Sequence, residues 1–307
     1  MIRTRITEMF GIQYPILCGA MMWLCKPPLC AAVSNAGGMG NLTAANYETE
    51  ETFRAAIREV RTLTGKPFMV NVTILPSVRI SGAPIDKACG PEFMEMLRKA
   101  GVRMFHKVGS VRHALHAQEA GYDGVYAAGI EEGGHPLNDD VTTMVLTPRV
   151  VESVSIPVVT VGGIADGRSL AAALMLGAEG VMMATRFMAT KECQVHDNIK
   201  QEIVRRQEQD TTLICKSIHL QARALRNRNV EDILAIEKRG GGFEEILPLI
   251  MGKRISEAWD TGNVDLAPMM VGQSVGLVRD IPSCAELLER MTREAEERVS
   301  AVRDRIR

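Results

Sequence analysis

A histidine set between glycines and a proline is the first group in this chain that could do chemistry. In Ile130-Glu131-Glu132-Gly133-Gly134-His135-Pro136 the glycines allow backbone close to a ligand, and Pro136 restrains the loop carrying His135. An imidazole, with an ordinary pKa of about 6.5, can accept a proton from a weakly acidic carbon at neutral pH. A loop histidine is also commonly a structural hydrogen-bonding group, and both readings stand. Glu131 and Glu132 could orient His135 or lie solvated on a rim. His106, His113, His116, His196 and His219 lack such a setting and read as structural. Two further loops are built like a phosphate cradle: Val161-Gly162-Gly163-Ile164-Ala165-Asp166-Gly167-Arg168 and Ala184-Thr185-Arg186-Phe187. Backbone N–H groups from two adjacent small-residue loops, helped by a helix N-terminus, form an anion site. Arg168 and Arg186 would either join it or be surface charges.

Three more segments offer contacts. Gly19-Ala20-Met21-Met22-Trp23 either lets backbone approach a flat ligand or forms a tight turn with core methionines. Asn71 is a polar residue in an apolar run, a costly placement unless a ligand or a neighbouring strand hydrogen-bonds it. Lys107 stands among apolar residues, where a lysine needs a partner; an anionic or flavin ligand, or a structural ion pair, would supply one.

These residues follow short apolar runs. The runs are Pro15–Ala20, Met39–Ala44, Phe68–Leu75, Val102–Val108, Asp123–Ala128, Pro157–Gly163 and Glu179–Phe187. Helical patterns lie between them, clearest in Glu51–Leu63, Pro91–Ala100, Val111–Ala120 and Ser169–Leu176, and Gly101, Gly121 and Gly177 stand at helix ends. Strands without polar alternation, each followed by a helix, indicate a parallel sheet buried on both faces. Seven repetitions favour a closed, TIM-type β/α barrel, whose chemistry sits at the C-terminal strand ends. No GxGxxG follows the first strand, which weakens a dinucleotide-binding open sheet. Residues 193–266 change texture to charged and helical, with Ile199–Gln209 and Asn229–Lys238 the clearest elements. They read as a helical subdomain over one barrel mouth, leaving 1–192 and 267–307 for the barrel. Ser283–Ile306 reads as one amphipathic helix.

Composition narrows the function classes. At 307 residues and 46 % hydrophobic content, one large domain with an appended subdomain is expected. A net charge of −1 argues against a nucleic-acid or membrane-surface partner. Thirteen aromatics against 18 methionines mean a core of aliphatic residues, alanine and methionine. Seven cysteines without CxxC or Cys/His ligand spacing read as free buried thiols of a cytoplasmic protein, with no metal site.

With these residues assembled, the sequence resembles the nitronate monooxygenase family, formerly 2-nitropropane dioxygenases, and within it the branch containing bacterial NADH:quinone reductases. The likeness is carried by Arg3-Thr-Arg5, Pro15 through Trp23, Asn71–Pro76, His106-Lys107, Gly134-His135-Pro136, Gly162-Gly163, Thr185-Arg186-Phe187 and Cys284–Leu288. The resemblance implies a β/α barrel with noncovalent FMN. Ala20, Met21 and Met22 would lie along the isoalloxazine, with Asn71 and Lys107 at its polar edge. Gly134 would approach the flavin, and Gly162, Gly163, Ala184 and Thr185 would hold its phosphate. His135 matches the family's active-site histidine. The implied activity is oxidation of alkyl nitronates by O₂, with NAD(P)H:quinone reduction as the runner-up and NAD(P)H then the electron donor. The implied partner is a small molecule, nitronate or quinone, and a homodimer is left open.

Three positions depart from the family pattern: Ala20 and Ala184 replace common glycines, and Val161 replaces a common serine. Between Pro76 and His106 the chain is also short by about one strand. Either the barrel closes differently there, another segment fills the gap, or residues are missing from the sequence at that point. A reading of another class, a flavin-free phosphate-binding barrel isomerase or lyase, uses the same cradle.

Overall fold

The computed structural model describes residues 2–73 and 91–306. The barrel part begins with helix α1 (Arg5–Phe10) and then alternates β1 (Ile16–Cys18), α2 (Pro27–Asn35), β2 (Gly40–Thr43), α3 (Glu50–Leu63) and β3 (Phe68–Asn71). It continues through α4 (Pro91–Lys99), β4 (Phe105–Val108), α5 (Val111–Glu119), β5 (Gly124–Ala128), α6 (Thr143–Val151), β6 (Val158–Val161), α7 (Gly167–Met175) and β7 (Gly180–Met183). All seven expected apolar runs contain a strand. Parallel pairing orders them β1-β7-β6-β5-β4, with β2 paired to β3. The bridge Leu17–Met39 joins the two sheets beside β1. The architecture is a TIM-type β/α barrel. The expectation of a missing strand centres on a stretch whose residues 74–90 lie outside the described residues; of the remainder, 91–99 form α4.

Local signals explain the helices. Thr49 and Asp166 cap α3 and α7, each side chain accepting a backbone N–H at the third helical residue. Gly101, Gly121 and Gly177 adopt the left-handed conformation that stops a helix before the next strand. Gly167 opens α7 where a Cβ would lie 2.3 Å from Glu294 Cβ, so only glycine admits the close crossing of the C-terminal helix.

The barrel interior is filled in layers. Leu17, Met69, Phe105, Tyr126, Val159 and Met182, one from each of six strands, pack with Met39 over a floor made by Ile6, Phe10 and Ile12. Three of the scarce aromatics meet here, with ring centroids 5.6 Å apart for Phe10–Phe105 and 5.3 Å for Phe105–Tyr126. Such pairs contribute about 0.5–1.5 kcal/mol beyond area burial. The Tyr126 hydroxyl donates to Met69 Sδ at 3.6 Å across the interior, and its burial raises the phenol pKa.

After β7 come α8 (Thr185–Met188), α9 (Asp197–Arg205), β8 (Thr211–Ile214), β9 (Ala222–Leu225), α10 (Arg228–Lys238), α11 (Phe243–Ile250), α12 (Gly252–Thr261) and α13 (Cys284–Ile306). The segment read as helical therefore also holds an antiparallel strand pair, Thr211–Ile214 against Ala222–Leu225. Ile214, Ala222, Ala224, Val230, Ile233, Ile236 and Ile246 form a small core of their own, whereas Ile199, Ile203 and Trp259 join the main core. The long C-terminal helix follows its expected span. The six described cysteines are buried and unbridged, as expected. Among the described residues, no helix is long and apolar enough to cross a membrane.

Candidate active site

Side chains alternate along a strand, so the residues two positions beyond the inner layer share its inward face at the C-terminal end. These are Gly19, Asn71, Lys107, Ala128, Val161 and Ala184, three of which the sequence nominated as cofactor contacts. The barrel thus brings Asn71, Lys107 and Ala184 into one ring. Asn71 is half-buried, and its Oδ1 accepts from the Thr73 hydroxyl at 2.8 Å. Ala20 and Met22 are exposed, while Met21 turns into the main core.

Lys107 Nζ pairs with the carboxylate of Glu132 and donates to the backbone carbonyl of His135 at 2.8 Å. The ion pair anticipated as one reading of Lys107 is therefore present, and its partner is the neighbouring loop. Glu132, for which a solvated rim position was one reading, is buried at 8 % exposure. Burial pushes its carboxyl pKa up, and the adjacent ammonium only partly offsets this.

His135 is fixed on both flanks. Gly134 N–H donates to Arg223 O at 3.0 Å, and Arg223 N–H donates back to Gly134 O at 2.6 Å. Pro136 is buried. The His135 ring nitrogens meet no hydrogen-bond partner among the described residues. The side chain reaches solvent from a recess; burial first, then the Lys107 charge, holds its pKa below the ordinary 6.5. The imidazole is therefore neutral at neutral pH, with a nitrogen lone pair available.

The two cradle loops lie side by side because β6 and β7 pair. Gly162 and Gly163 have φ of 96° and 74°, conformations that favour glycine. An added Cβ at Gly134 would meet no atom within 4 Å, and one at Gly163 only Glu131 Oε1 at 4.0 Å, so both backbones front open space. The Thr185 hydroxyl is engaged, accepting from Gly272 N–H at 2.9 Å. Arg186, read either as a cradle or as a surface charge, is instead buried at 1 % exposure and donates to Asp280 O and Oδ1 at 3.1 Å. Arg168 is exposed and pairs with Asp166.

Several positioning residues carry no local signal in the sequence. Thr143 donates its N–H to the Glu131 carboxylate at 2.9 and 3.0 Å and its hydroxyl to Gly162 O at 3.1 Å, stitching the loops after β5 and β6. Arg223 Nε donates to Ile130 O at 3.0 Å, bracing the His135 loop again. At the end of β2, Asn41 Oδ1 and Thr43 Oγ1 are buried without a partner among the described residues. Polar residues ending an otherwise apolar run were the available clue to these two.

Residues 3–82 and 85–294 match the model of the nitronate monooxygenase family. The chain belongs to that family. A relative in Rhodococcus jostii, (3aS,4S,5R,7aS)-5-hydroxy-7a-methyl-1-oxo-octahydro-1H-indene-4-carboxyl-CoA dehydrogenase, is 33 % identical, with 98 % of each chain covered. Among solved structures, FabK from Thermotoga maritima is 35 % identical with a TM-score of 0.88 and 99 % of each chain covered. Nitroalkane oxidase from Streptomyces ansochromogenes is 26 % identical with a TM-score of 0.81, covering 97 % of this chain and 99 % of that one. Membership in the nitronate monooxygenase family makes this protein an oxidoreductase.

Proposed function

We propose that the protein is an FMN-dependent oxidoreductase working at a carbon beside an electron-withdrawing group, with an acyl thioester as substrate class. The observation that carries this reading is the imidazole of His135, which has no hydrogen-bond partner among the described residues. It is locked by Gly134 and Pro136 on the same rim as the two glycine and small-residue loops. The open space in front of Gly134 and Gly163 leaves their backbones accessible to a bound ligand. Gly162, Gly163, Ala184 and Thr185 would hold the phosphate. Ala20, Met21 and Met22 would lie along the ring, Gly134 would approach it, and Asn71 and Lys107 would meet its polar edge.

When bound, FMN supplies a ring that accepts or donates a hydride. The chain's own residues do the rest. A neutral His135 ring nitrogen takes or returns the proton of the activated carbon, and its lowered pKa keeps that nitrogen unprotonated at neutral pH. Lys107 pins the His135 carbonyl and contributes to that depression, while Glu132 balances its charge inside the rim.

The preference for a thioester draws support from the CoA dehydrogenase of Rhodococcus jostii, which matches over nearly the whole of both chains. Nitronate oxidation is the second reading, favoured by the nitroalkane oxidase likeness; there the imidazole would bind the anionic substrate or assist proton movement. Anaerobic half-reactions separate them. Bleaching of bound flavin by NADH or NADPH, followed by reoxidation with an α,β-unsaturated acyl-CoA, is expected. Bleaching by a nitronate, with no response to any thioester, would replace the leading reading. Colourless protein that fails to take up FMN would favour the isomerase or lyase class.

A further inference from the structure

Beside the His135 loop, on the β8–β9 pair, lies a cleft of about 650 Å³ that the reading above does not use. Its polar wall consists of Thr211, Thr212, Lys216, Ser217, Arg223 and Lys238. The acidic residue of the wall, Glu237, is turned to the backbone, accepting from Cys215 N–H at 3.0 Å and Ser217 N–H at 2.9 Å. Lys216 and Lys238 have no carboxylate partner among the described residues. Arg223 is buried, with Nε donating to Ile130 O and Nη1 to Thr211 Oγ1. Three cations and three hydroxyls thus line a shallow, open cleft whose one carboxylate is turned to backbone N–H groups. That is the donor set of a phosphate site.

The wall is built rather than incidental. Cys215 and His219 hold positive φ values of 61° and 56°, a costly backbone for residues with a Cβ, and Glu237 fixes the turn between them. That turn presents Lys216 and Ser217. A second cleft, beside α7 and α13, also gathers arginines, but Arg168 is answered by Asp166 and both Arg186 and Arg290 by Asp280. Its wall also carries four carboxylates, Asp166, Asp280, Glu294 and Glu297, which makes it a poorer anion site.

The cleft also connects to the reaction centre. The Arg223 backbone pairs with Gly134 in both directions, so one strand contact separates the phosphate-type wall from His135. We propose that this cleft binds the phosphate groups of a nucleotide-tailed reactant while the reacting end of the same molecule reaches His135. This rests on the oxidoreductase reading and deepens it. The shared chemistry is an adenosine phosphate tail, carried by a coenzyme A thioester or by a nicotinamide dinucleotide.

The test is calorimetric titration of the full chain with coenzyme A and, separately, with NADP⁺, neither of which needs turnover. Lys216→Glu with Lys238→Glu is compared with the wild type and with Lys66→Glu, a charge reversal next to the start of β3, at the other end of the strands. The double variant is expected to bind one probe about tenfold more weakly or worse, with Lys66→Glu unchanged. Weakened coenzyme A binding in a protein that turns over acyl thioesters assigns the cleft to the thioester, and weakened NADP⁺ binding assigns it to the electron donor. Wild-type protein that binds neither probe, or a folded double variant that binds both as well as wild type, overturns the proposal. Lys216→Gln with Lys238→Gln serves if the charge reversals unfold the chain. A protein inert toward thioesters whose coenzyme A binding is still lost in the variant would keep the cleft and discard the thioester reading.

Discussion

Across β5, β6 and β7 the rim loops are tied to one another, whereas at the C-terminal ends of β1 and β3 the described residues are more exposed. On the first side the Glu131 carboxylate accepts the Thr143 N–H, while the Thr143 hydroxyl donates to Gly162 O. Glu131 O accepts from Gln273 N–H, and Thr185 Oγ1 accepts from Gly272 N–H. On the second side Ala20 and Met22 are exposed, and the Asn71 side chain bonds only the adjacent Thr73 among the described residues. The tied side holds the groups whose positions a reaction needs to within fractions of an ångström. The open side offers apolar, flexible surface, above all methionine, suited to substrates of varied shape.

Breaking the tied side has the largest consequences. His135→Ala is expected to lower kcat/KM by about 10²–10⁴-fold while leaving the melting temperature nearly unchanged, because the ring makes no hydrogen bond within the described protein. Turnover and pH profile both surviving the substitution would remove His135 from the chemistry. Arg186→Met tests the support beneath the same side. It strips Asp280 of two-point contact with a buried guanidinium, at a cost of about 2 kcal/mol in denaturant unfolding. Arg290 still binds Asp280 at 2.5 and 3.0 Å, which keeps the loss from being larger.

The tied side also marks where the sequence could be read and where it could not. The parallel strands stand out because burial on both faces favours apolar residues along them, most cleanly in Ile16–Cys18 and Val158–Val161, and the glycines after α4, α5 and α7 announce the helix ends. His135 was visible because its glycines and proline are its neighbours in the chain. Thr143 and Arg223 were not, since their function is to bond groups brought near only by folding: Arg223 reaches Ile130, 93 residues away. Strands β8 and β9 escaped for the same reason. Thr-Thr-Leu-Ile and Ala-Arg-Ala-Leu are too short and mixed to signal a strand alone, and acquire one by pairing with each other and with Gly134. The charge pattern around Lys107 allowed either a ligand or an ion pair, and the buried Glu132 that answers it lies on the loop of another strand.

The electrostatics of that pair give a pH test of smaller size. The His135 pKa is depressed, so the chain binds fewer protons there folded than unfolded. This contribution to stability is full above about pH 6.5 and declines as pH falls through the lower folded value. The acid limb of kcat/KM should likewise lie below that of an ordinary histidine. Lys107→Met removes the nearby positive charge and moves the limb to higher pH. The same change releases Glu132, whose raised pKa climbs further, so the variant takes up a proton closer to neutrality. A limb unmoved in Lys107→Met but shifted in Glu132→Gln would assign the control to the carboxylate instead.

The smallest effects belong to the open side. Met22→Ala removes an exposed apolar side chain that no part of the described protein encloses, and it should change unfolding free energy by less than about 0.5 kcal/mol. If this rim serves to meet substrate, Met22→Ala raises KM for bulky substrates more than for small ones and leaves kcat in place, the signature of lost uniform binding. A fall in kcat at constant KM would mean that Met22 acts in the transition state. The division between a tied side that reacts and an open side that accommodates would then have to be redrawn.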